Sequence, residues 1–173
     1  SSAAPYISRF RFHHTPDNGT SEFLRCDDTL SGTPVARCII SSEGDLTNHD
    51  NSYGQISDER IKTSITDANS QWDDIKALKV KNFKRKDDVA HYGDKAWTQI
   101  GVIAQDLEAS GMDKLVKKNT PSEFEIHNCD IAADDYTKGV KYSILYMKAV
   151  KALQEAMTKI ETLETKVEAL ENA

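Results

Sequence analysis

A serine and a lysine five residues apart are the first pair in this sequence that could do chemistry together. They open and close the segment Ser57-Asp58-Glu59-Arg60-Ile61-Lys62. A serine hydroxyl becomes a good nucleophile when a base removes its proton, and the amine of Lys62 can be that base only while it is neutral. Burial or a neighbouring cation favours the neutral amine, and Arg60 is a candidate neighbour. In a continuous helix residues five apart point about 140° apart, so a working pair requires an irregular turn.

A purely structural explanation of this segment is also open. Ser57 would cap a helix, and Asp58 and Glu59 would complement the positive end of its dipole. On spacing alone this explanation is favoured, because a serine and a lysine five residues apart often occur together by chance.

Composition limits the classes of function. The 173 residues include 22 basic and 28 acidic side chains, which give a formal charge of −6. That charge opposes non-specific binding to nucleic acid or to an anionic membrane. No apolar run reaches the roughly 20 residues of a membrane-spanning helix.

Cysteines and histidines predict neither a disulfide framework nor a metal site. Cys26, Cys38 and Cys129 are widely spaced, which favours buried free thiols. His127 and Cys129 lack a second pair at zinc-ligand spacing, and His13-His14 is typical of an exposed strand end. We therefore expect no metal and no cofactor.

The composition changes near residue 56. Residues 1–56 contain no lysine, whereas residues 57–173 contain all 16. Strand and turn signals fill the first segment: the alternation around Phe10 and Phe12, the turn at 16–19, strands at 23–24 and 35–40, and a turn at 43–45. Such short strands bury little on their own, so we expect the end of a longer β-structure that is stabilised by copies of itself.

The second segment is predicted to contain both helices and strands. Its predicted elements are a helix through Trp72, Ile75 and Leu78 with Ser70 as N-cap, a buried strand over 96–103, a short helix over 104–110 closed by Gly111, and a hairpin around Phe124 and Ile126.

From about residue 143 to the C-terminus the sequence predicts one helix with a heptad repeat. Apolar residues at alternating spacings of three and four form an a/d seam: Tyr146, Ala149, Leu153, Ala156, Ile160, Leu163, Val167 and Leu170. The stripe is narrow and its flanks are charged, which favours self-association over a single helix packed on its own domain. These residues alone do not fix the number of chains.

Four motifs in order resemble a known family. Ser57, Asp58 and Lys62 match the Ser-Asp-x-x-x-Lys motif that opens the self-cleaving intramolecular chaperone domain of phage tailspikes and tail fibres, such as endosialidases. The resemblance continues through residues 72–78 (WDDIKAL), 101–107 (GVIAQDL) and 140–145 (VKYSIL). This order is far more specific than the Ser–Lys pair alone, and it outweighs the capping explanation.

The resemblance implies a homotrimer that assists assembly of an intertwined β-structured shaft and then cuts itself off. The scissile bond would be Ile56–Ser57, where the composition also changes. Ser57 would be the nucleophile and Lys62 the base, with Asp58 and Arg60 as possible supporting residues. Ile56 is bulkier than the residue that many relatives carry there.

We therefore expect an α+β chain in two parts. Residues 1–56 would be the β-rich end of a tail fibre or tailspike shaft, and residues 57–173 a small mixed chaperone domain with a coiled coil over about 143–173. The trimer seam would comprise Leu153, Ala156, Ile160, Leu163, Val167 and Leu170. The implied partners are two further copies and the chain's own upstream fibre, with no nucleic acid or membrane. The resemblance also implies processing in the host cytoplasm and a place in the virion tail.

Two other functions stay open. One is a trimerisation and folding module that never cuts, in which Ser57 is only a cap. The other is a receptor-binding tip in which residues 1–56 contact a host cell-surface glycan. Cleavage would produce fragments of 56 and 117 residues (173 − 56 = 117). The mass of the purified protein therefore distinguishes a self-cleaving chaperone from a module that never cuts.

Overall fold

The computed structural model describes residues 10–12, 20–30 and 32–173. The chain divides into two compact units, and the division falls between Ile65 and Thr66. We call residues 4–65 the N-terminal unit and residues 66–173 the C-terminal unit. Helices and small antiparallel sheets both occur, so the predicted α+β class is confirmed. The predicted functional division at Ile56–Ser57 lies inside the N-terminal unit and stays a prediction.

The N-terminal unit contains one three-stranded antiparallel sheet. Its strands are β1 (Glu22–Leu30), β2 (Thr33–Ser41) and β3 (Leu46–Asn48), in that order across the sheet. The predicted strands at 23–24 and 35–40 are confirmed and are longer than expected. The turn at 43–45 is also confirmed, because Gly44 has a φ of +93° that suits glycine.

Other predictions for this unit fail or lie outside the described residues. Residues 10–12 form no strand, although the ring of Phe12 lies 4.9 Å from that of Phe23. The predicted turn at 16–19 and the His13-His14 pair lie outside the described residues.

The prediction of buried thiols is wrong. Cys26 is exposed, and Cys38 and Cys129 are half-buried, although all three are free. The reason in the N-terminal unit is architectural: its described residues form a single three-stranded sheet with no second layer over it, and such a sheet cannot bury its side chains deeply. Among its described residues none is fully buried.

The C-terminal unit combines two antiparallel strand pairs with five helices. The strands are β4 (Val80–Phe83) paired with β5 (Gln99–Val102), and β6 (Val116–Asn119) paired with β7 (Thr137–Val140). The helices are α1 (Trp72–Lys76), α2 (Lys86–Tyr92), α3 (Ala104–Ala109), α4 (Glu123–Asn128) and α5 (Tyr142–Glu171).

A small apolar core holds this unit together. It consists of Val102, Leu107, Met112, Leu115 and Leu145. Leu107 on α3 is only 1% exposed, and Leu145 brings the first turns of α5 into the core. The core thus fixes α3 and β5 against the start of the long helix.

The end of α3 follows the prediction closely. Gly111 has a φ of +80°, its N–H donates to Glu108 O at 3.1 Å, and the N–H of Met112 donates to Leu107 O at 2.9 Å. This is the Schellman arrangement, in which a glycine in the left-handed region closes the helix. The reversal also places Met112 next to Leu107 in the core.

Three local predictions for this unit need correction. Gln71 rather than Ser70 is the N-cap of α1, and the helix ends at Lys76, so Leu78 lies beyond it. The strand predicted over 96–103 spans only Gln99–Val102. Ile100 in this strand is 75% exposed, whereas Val102 at its end is buried.

The hairpin predicted around Phe124 and Ile126 is wrong. These residues lie in α4, where Ser122 and Glu125 form a capping box that starts the helix. Reciprocal capping satisfies two backbone donors at once, so it favours a helix over a turn. The flanking strands β6 and β7 pair with each other instead.

The helix predicted from about residue 143 is confirmed as α5, which is 30 residues long. Within the described part of the chain, no helix is both long and apolar enough to cross a bilayer.

Candidate active site

An irregular turn separates Ser57 from Lys62. Residues Glu59–Ile61 form a single 3-10 turn, and the chain is extended on both sides, at Asp58 (φ −65°, ψ 132°) and at Lys62 (φ −111°, ψ 156°). Because the backbone leaves the helical region at Lys62, its side chain is not rotated away as a continuous helix would require. The irregular turn that a Ser–Lys pair needs is therefore present.

The side chains of Ser57 and Lys62 meet across this turn. The Nζ of Lys62 donates a hydrogen bond to the Oγ of Ser57 at 2.5 Å. Both residues are exposed. The two groups that the sequence singles out as nucleophile and base are thus in direct contact.

Asp58 holds the turn between them. Its Oδ1 accepts a hydrogen bond from the backbone N–H of Arg60 at 2.9 Å, which makes Asp58 rather than Ser57 the N-cap. The expectation that Ser57 caps a helix is therefore wrong. The cause is the shortness of the turn, which begins at Glu59 and so takes its cap from the residue immediately before it.

The side chain of Arg60 is engaged by the same carboxylate. Its guanidinium lies 2.6 Å from Asp58 Oδ2. The side-chain and backbone hydrogen bonds from Arg60 lower the pKa of the Asp58 carboxyl below its usual value, and the bond to Asp58 raises the pKa of Arg60. The positive charge of Arg60 is thus compensated within the turn.

The predicted scissile bond is accessible. Ile56 is 80% exposed, and Ile61 and Ile65 are 66% and 60% exposed. An extended segment with this many exposed isoleucines leaves apolar surface in water. A nucleophile, water or another chain can reach the Ile56–Ser57 peptide from solvent.

This arrangement has a clear chemical capacity. When the amine of Lys62 is neutral, the same short contact allows the hydroxyl of Ser57 to donate its proton to Nζ. The hydroxyl is also covalently next to the carbonyl carbon of Ile56. The turn therefore brings an amine to a hydroxyl group that is covalently next to a peptide carbonyl carbon.

The predicted seam of α5 faces solvent in the single chain. Leu153, Ile160, Leu163, Val167 and Leu170 are between 50% and 77% exposed, and Ala156 is half-buried. Every residue from 157 to 173 is exposed. An apolar stripe of this length in water is typical of a helix that associates with copies of itself.

A neighbouring face of α5 packs on its own unit. Leu145 and Ala152 are each 7% exposed. Between them, Lys148 donates from Nζ to Asp74 Oδ2 at 2.5 Å and to the Oε1 of Gln71. Gln71 is itself 6% exposed. The packed side and the seam are therefore two different faces of one helix.

Two further contacts, about two and three turns beyond Lys148 along α5, strengthen this attachment. Glu155 accepts hydrogen bonds from Ser70 Oγ at 2.7 Å and from the backbone N–H of Gln71 at 2.9 Å. The Nζ of Lys159 lies 3.6 Å from the ring centroid of Trp72, which is cation–π distance. Sequence reasoning missed these contacts, because the partners are more than 70 positions apart and no local pattern marks the pairing.

No group of three or more metal-ligating side chains lies close together within the described ranges.

Comparison with known proteins gives one family match. Residues 57–117 match the family model described as chaperone of endosialidase, and the family's name marks it as a peptidase family. The match begins at Ser57 and ends within β6, so it includes the turn, the strand pair β4–β5 and helix α3. No curated protein matches the chain.

Proposed function

We propose that this chain, which carries an intramolecular chaperone domain of the endosialidase type matched over residues 57–117, trimerises, assists the folding of the fibre that precedes it, and then cuts the Ile56–Ser57 bond. The observation that carries the cleavage step is the 2.5 Å contact between Lys62 Nζ and Ser57 Oγ. That contact lies at the first residue of the family match, directly after the proposed scissile bond.

The proposed chemistry begins with proton transfer. Neutral Lys62 takes the proton of the Ser57 hydroxyl, and Oγ attacks the carbonyl carbon of Ile56. The C–N bond then breaks, the freed amine of Ser57 takes up a proton, and an ester joins the Ile56 acyl group to Oγ. Water hydrolyses this ester, which leaves Ile56 as a new C-terminus and Ser57 as a new N-terminus. Attack by Ser57 of a neighbouring copy is an equally open route.

Lys62 is exposed to water in the single chain, and assembly would have to remove that water. An amine in a less polar environment favours its neutral form, and Lys62 is exposed here. The exposed isoleucines at 56, 61 and 65 would be covered if copies of the chain packed around this segment. Cleavage would then begin only after correct assembly, and backbone N–H groups of the assembled site would stabilise the oxyanion.

The resemblance to the chaperone domain of tail fibres implies a homotrimer as the assembled state, and self-association is supported by the exposed seam of α5. Its apolar residues run to Leu170 with no covering element among the described residues. Removal of the chaperone after assembly makes unfolding of the shaft kinetically irreversible, because the element that guided folding has been lost. The client would be the fibre or tailspike of a phage particle, made and cut in the host cytoplasm.

The deciding experiment compares wild type with Ser57→Ala and Lys62→Arg. Arginine keeps a cation that can hydrogen-bond to Ser57 but is not deprotonated in proteins, so it removes only the base. We expect fragments of 56 and 117 residues from wild type, and intact chains from both variants. Lys76→Arg is the matched control, since Lys76 is exposed, and it should cut like wild type.

A folding module that never cuts is the second candidate. The exposure of both Ser57 and Lys62 favours it, because the pair is not desolvated within one chain. Assembled wild-type trimers that stay intact on prolonged incubation would establish this second function and exclude the peptidase. A Lys62→Arg variant that cuts normally would exclude Lys62 as the base.

A further inference from the structure

Two cysteines of the N-terminal unit are paired across neighbouring strands. Cys26 lies on β1 and Cys38 on β2, and the antiparallel register places them directly opposite each other. Both are free thiols, with Cys26 exposed and Cys38 half-buried. Residues paired in this way project from the same face of a sheet. The sheet therefore presents two thiols side by side where a solvent-borne reagent can reach them.

The geometry of this pair is close to that of a disulfide. Directly opposite residues have Cα atoms about 4.5–5.5 Å apart, within the range of about 4.4–6.8 Å found for disulfides. The Cβ atoms of residues paired in this way are in general about 4.5–5.5 Å apart, so an approach of about 1 Å brings such a pair to disulfide spacing. Only a small movement of one strand is required.

The sheet can make that movement at this position. β1 is an edge strand of the three-stranded sheet, so among the described residues β2 is the only strand that pairs with it. The register also shifts immediately after the pair, between Cys26 and Asp27. Such an irregularity bends the strands locally and weakens the regular ladder.

We propose that Cys26 and Cys38 form a disulfide within one chain when the protein meets an oxidising medium that contains a disulfide such as oxidised glutathione. One cysteine thiolate attacks the glutathione disulfide, which gives a mixed disulfide and releases one glutathione. The second thiolate attacks the protein sulfur and releases the other glutathione. Two thiol protons are lost, and two electrons pass to the oxidant.

The linkage has a structural consequence. It closes a covalent loop from residue 26 to residue 38 across the β1–β2 hairpin, and it fixes the strand register next to the shift between Cys26 and Asp27. A slip of one residue would turn every side chain of β1 to the other face of the sheet. The disulfide thus fixes the strand pairing once the protein has left a reducing compartment.

The test treats the folded full chain with oxidised glutathione, blocks free thiols with iodoacetamide, and maps tryptic peptides. Trypsin cuts after Arg25, Arg37 and Arg60, so the linkage joins peptides 26–37 and 38–60, or 38–56 in a self-cut chain. We expect this linked pair, two of the three thiols lost, and a chain that migrates as a monomer on a non-reducing denaturing gel. Cys129→Ser should form the same linkage, and Cys26→Ser should not.

Four results would overturn the proposal, and the first three concern Cys26 and Cys38 directly. They are three thiols that stay free, a separate glutathione adduct on each cysteine, and a linked peptide found only in gel bands of two or more chains. Linkage of Cys129 to either partner would also overturn it. None of these results depends on whether Ile56–Ser57 is cut.

Discussion

The hydroxyl of Tyr142 occupies the space that a side chain on residue 101 would need. A Cβ placed on Gly101 would lie 2.6 Å from Tyr142 Oη and 3.3 Å from the ring of Phe83. The same hydroxyl accepts a hydrogen bond from the backbone N–H of Val102 at 3.3 Å. Glycine on β5 and tyrosine at the start of α5 therefore form one close contact, although they come from two separate sequence motifs.

This contact predicts that Gly101→Ala destabilises the C-terminal unit. The new methyl group must displace the hydroxyl, which breaks its bond to Val102 and disturbs the packing of α5. Overpacking of this kind costs about 1–3 kcal/mol. Thermal unfolding followed by circular dichroism should show a lower midpoint, by about 4–8 °C for each kcal/mol in a domain of this size.

A double variant provides the control for that experiment. Tyr142→Phe removes the hydroxyl and its hydrogen bond but also the atom nearest to the new methyl group. Gly101→Ala combined with Tyr142→Phe should therefore be less destabilised than the sum of the two single variants. Strict additivity would mean that these residues do not interact as described.

Acid should loosen the attachment of α5 through Glu155. The hydrogen bond from Ser70 and then that from the Gln71 backbone lower the pKa of this carboxyl below its usual value of about 4.3. A lowered pKa in the folded state stabilises the fold above that usual value, and the contribution is lost as pH falls through the folded pKa. Wild type should thus lose stability relative to Glu155→Gln as the pH falls below about 4.

Unfolding curves of both proteins at several pH values check this prediction. At pH 7 wild type should be the more stable of the two, and the difference should shrink towards pH 3. A difference that stays constant with pH would show that the carboxylate charge is not what Ser70 and Gln71 recognise. Glu168→Gln, on the exposed end of α5, is the matched control.

The sequence predicts the elements whose signals are local. The three-and-four spacing of α5 and the glycine that closes α3 depend on neighbours within a few residues, and both are confirmed. The helix at Glu123–Asn128 was missed although its signal, Ser122 three residues before Glu125, is local and readable. Phe124 and Ile126 are two residues apart, which suggested the alternation of a strand. The capping box of Ser122 and Glu125 stabilises a helix there instead.

The contacts that fasten α5 to its unit could not be predicted. Lys148 donates hydrogen bonds to Gln71 and Asp74, which are more than 70 residues away in the sequence. No local sequence pattern near either partner predicts this contact. The candidate site was more accessible to sequence reasoning, since Ser57 and Lys62 are five residues apart. The role of Asp58 as cap rather than Ser57 follows from the 3-10 geometry, which the sequence does not specify.

We expect Asp58 to affect the rate of cleavage because it caps the turn, and not because it forms an ion pair with Arg60. Asp58→Ala removes the cap and loosens the approach of Lys62 to Ser57. We expect about a fivefold slower cut in time courses followed on gels. Asp58→Asn retains an acceptor for the backbone N–H and should retain most of the rate.

Arg60→Ala is the informative companion to these variants. Arg60 is exposed, and its charge is already compensated by Asp58, so its loss should change the rate by less than about twofold, as expected for an exposed ion pair. A large loss of rate in Arg60→Ala would instead indicate that this cation activates Lys62 directly, and the turn-based explanation would be wrong.

The seam of α5 should control both assembly and cleavage. Leu163→Asp places a charge at a d position of the heptads, where association would bury it without a partner. We expect light scattering to give the mass of one chain instead of three, and we expect Ile56–Ser57 to stay uncut, because Lys62 remains exposed. Thr165→Asp adds the same charge at an f position, away from the seam, and should assemble and cut like wild type. A Leu163→Asp monomer that still cuts at the normal rate would separate cleavage from assembly, and the Ser–Lys pair would then be complete within a single chain.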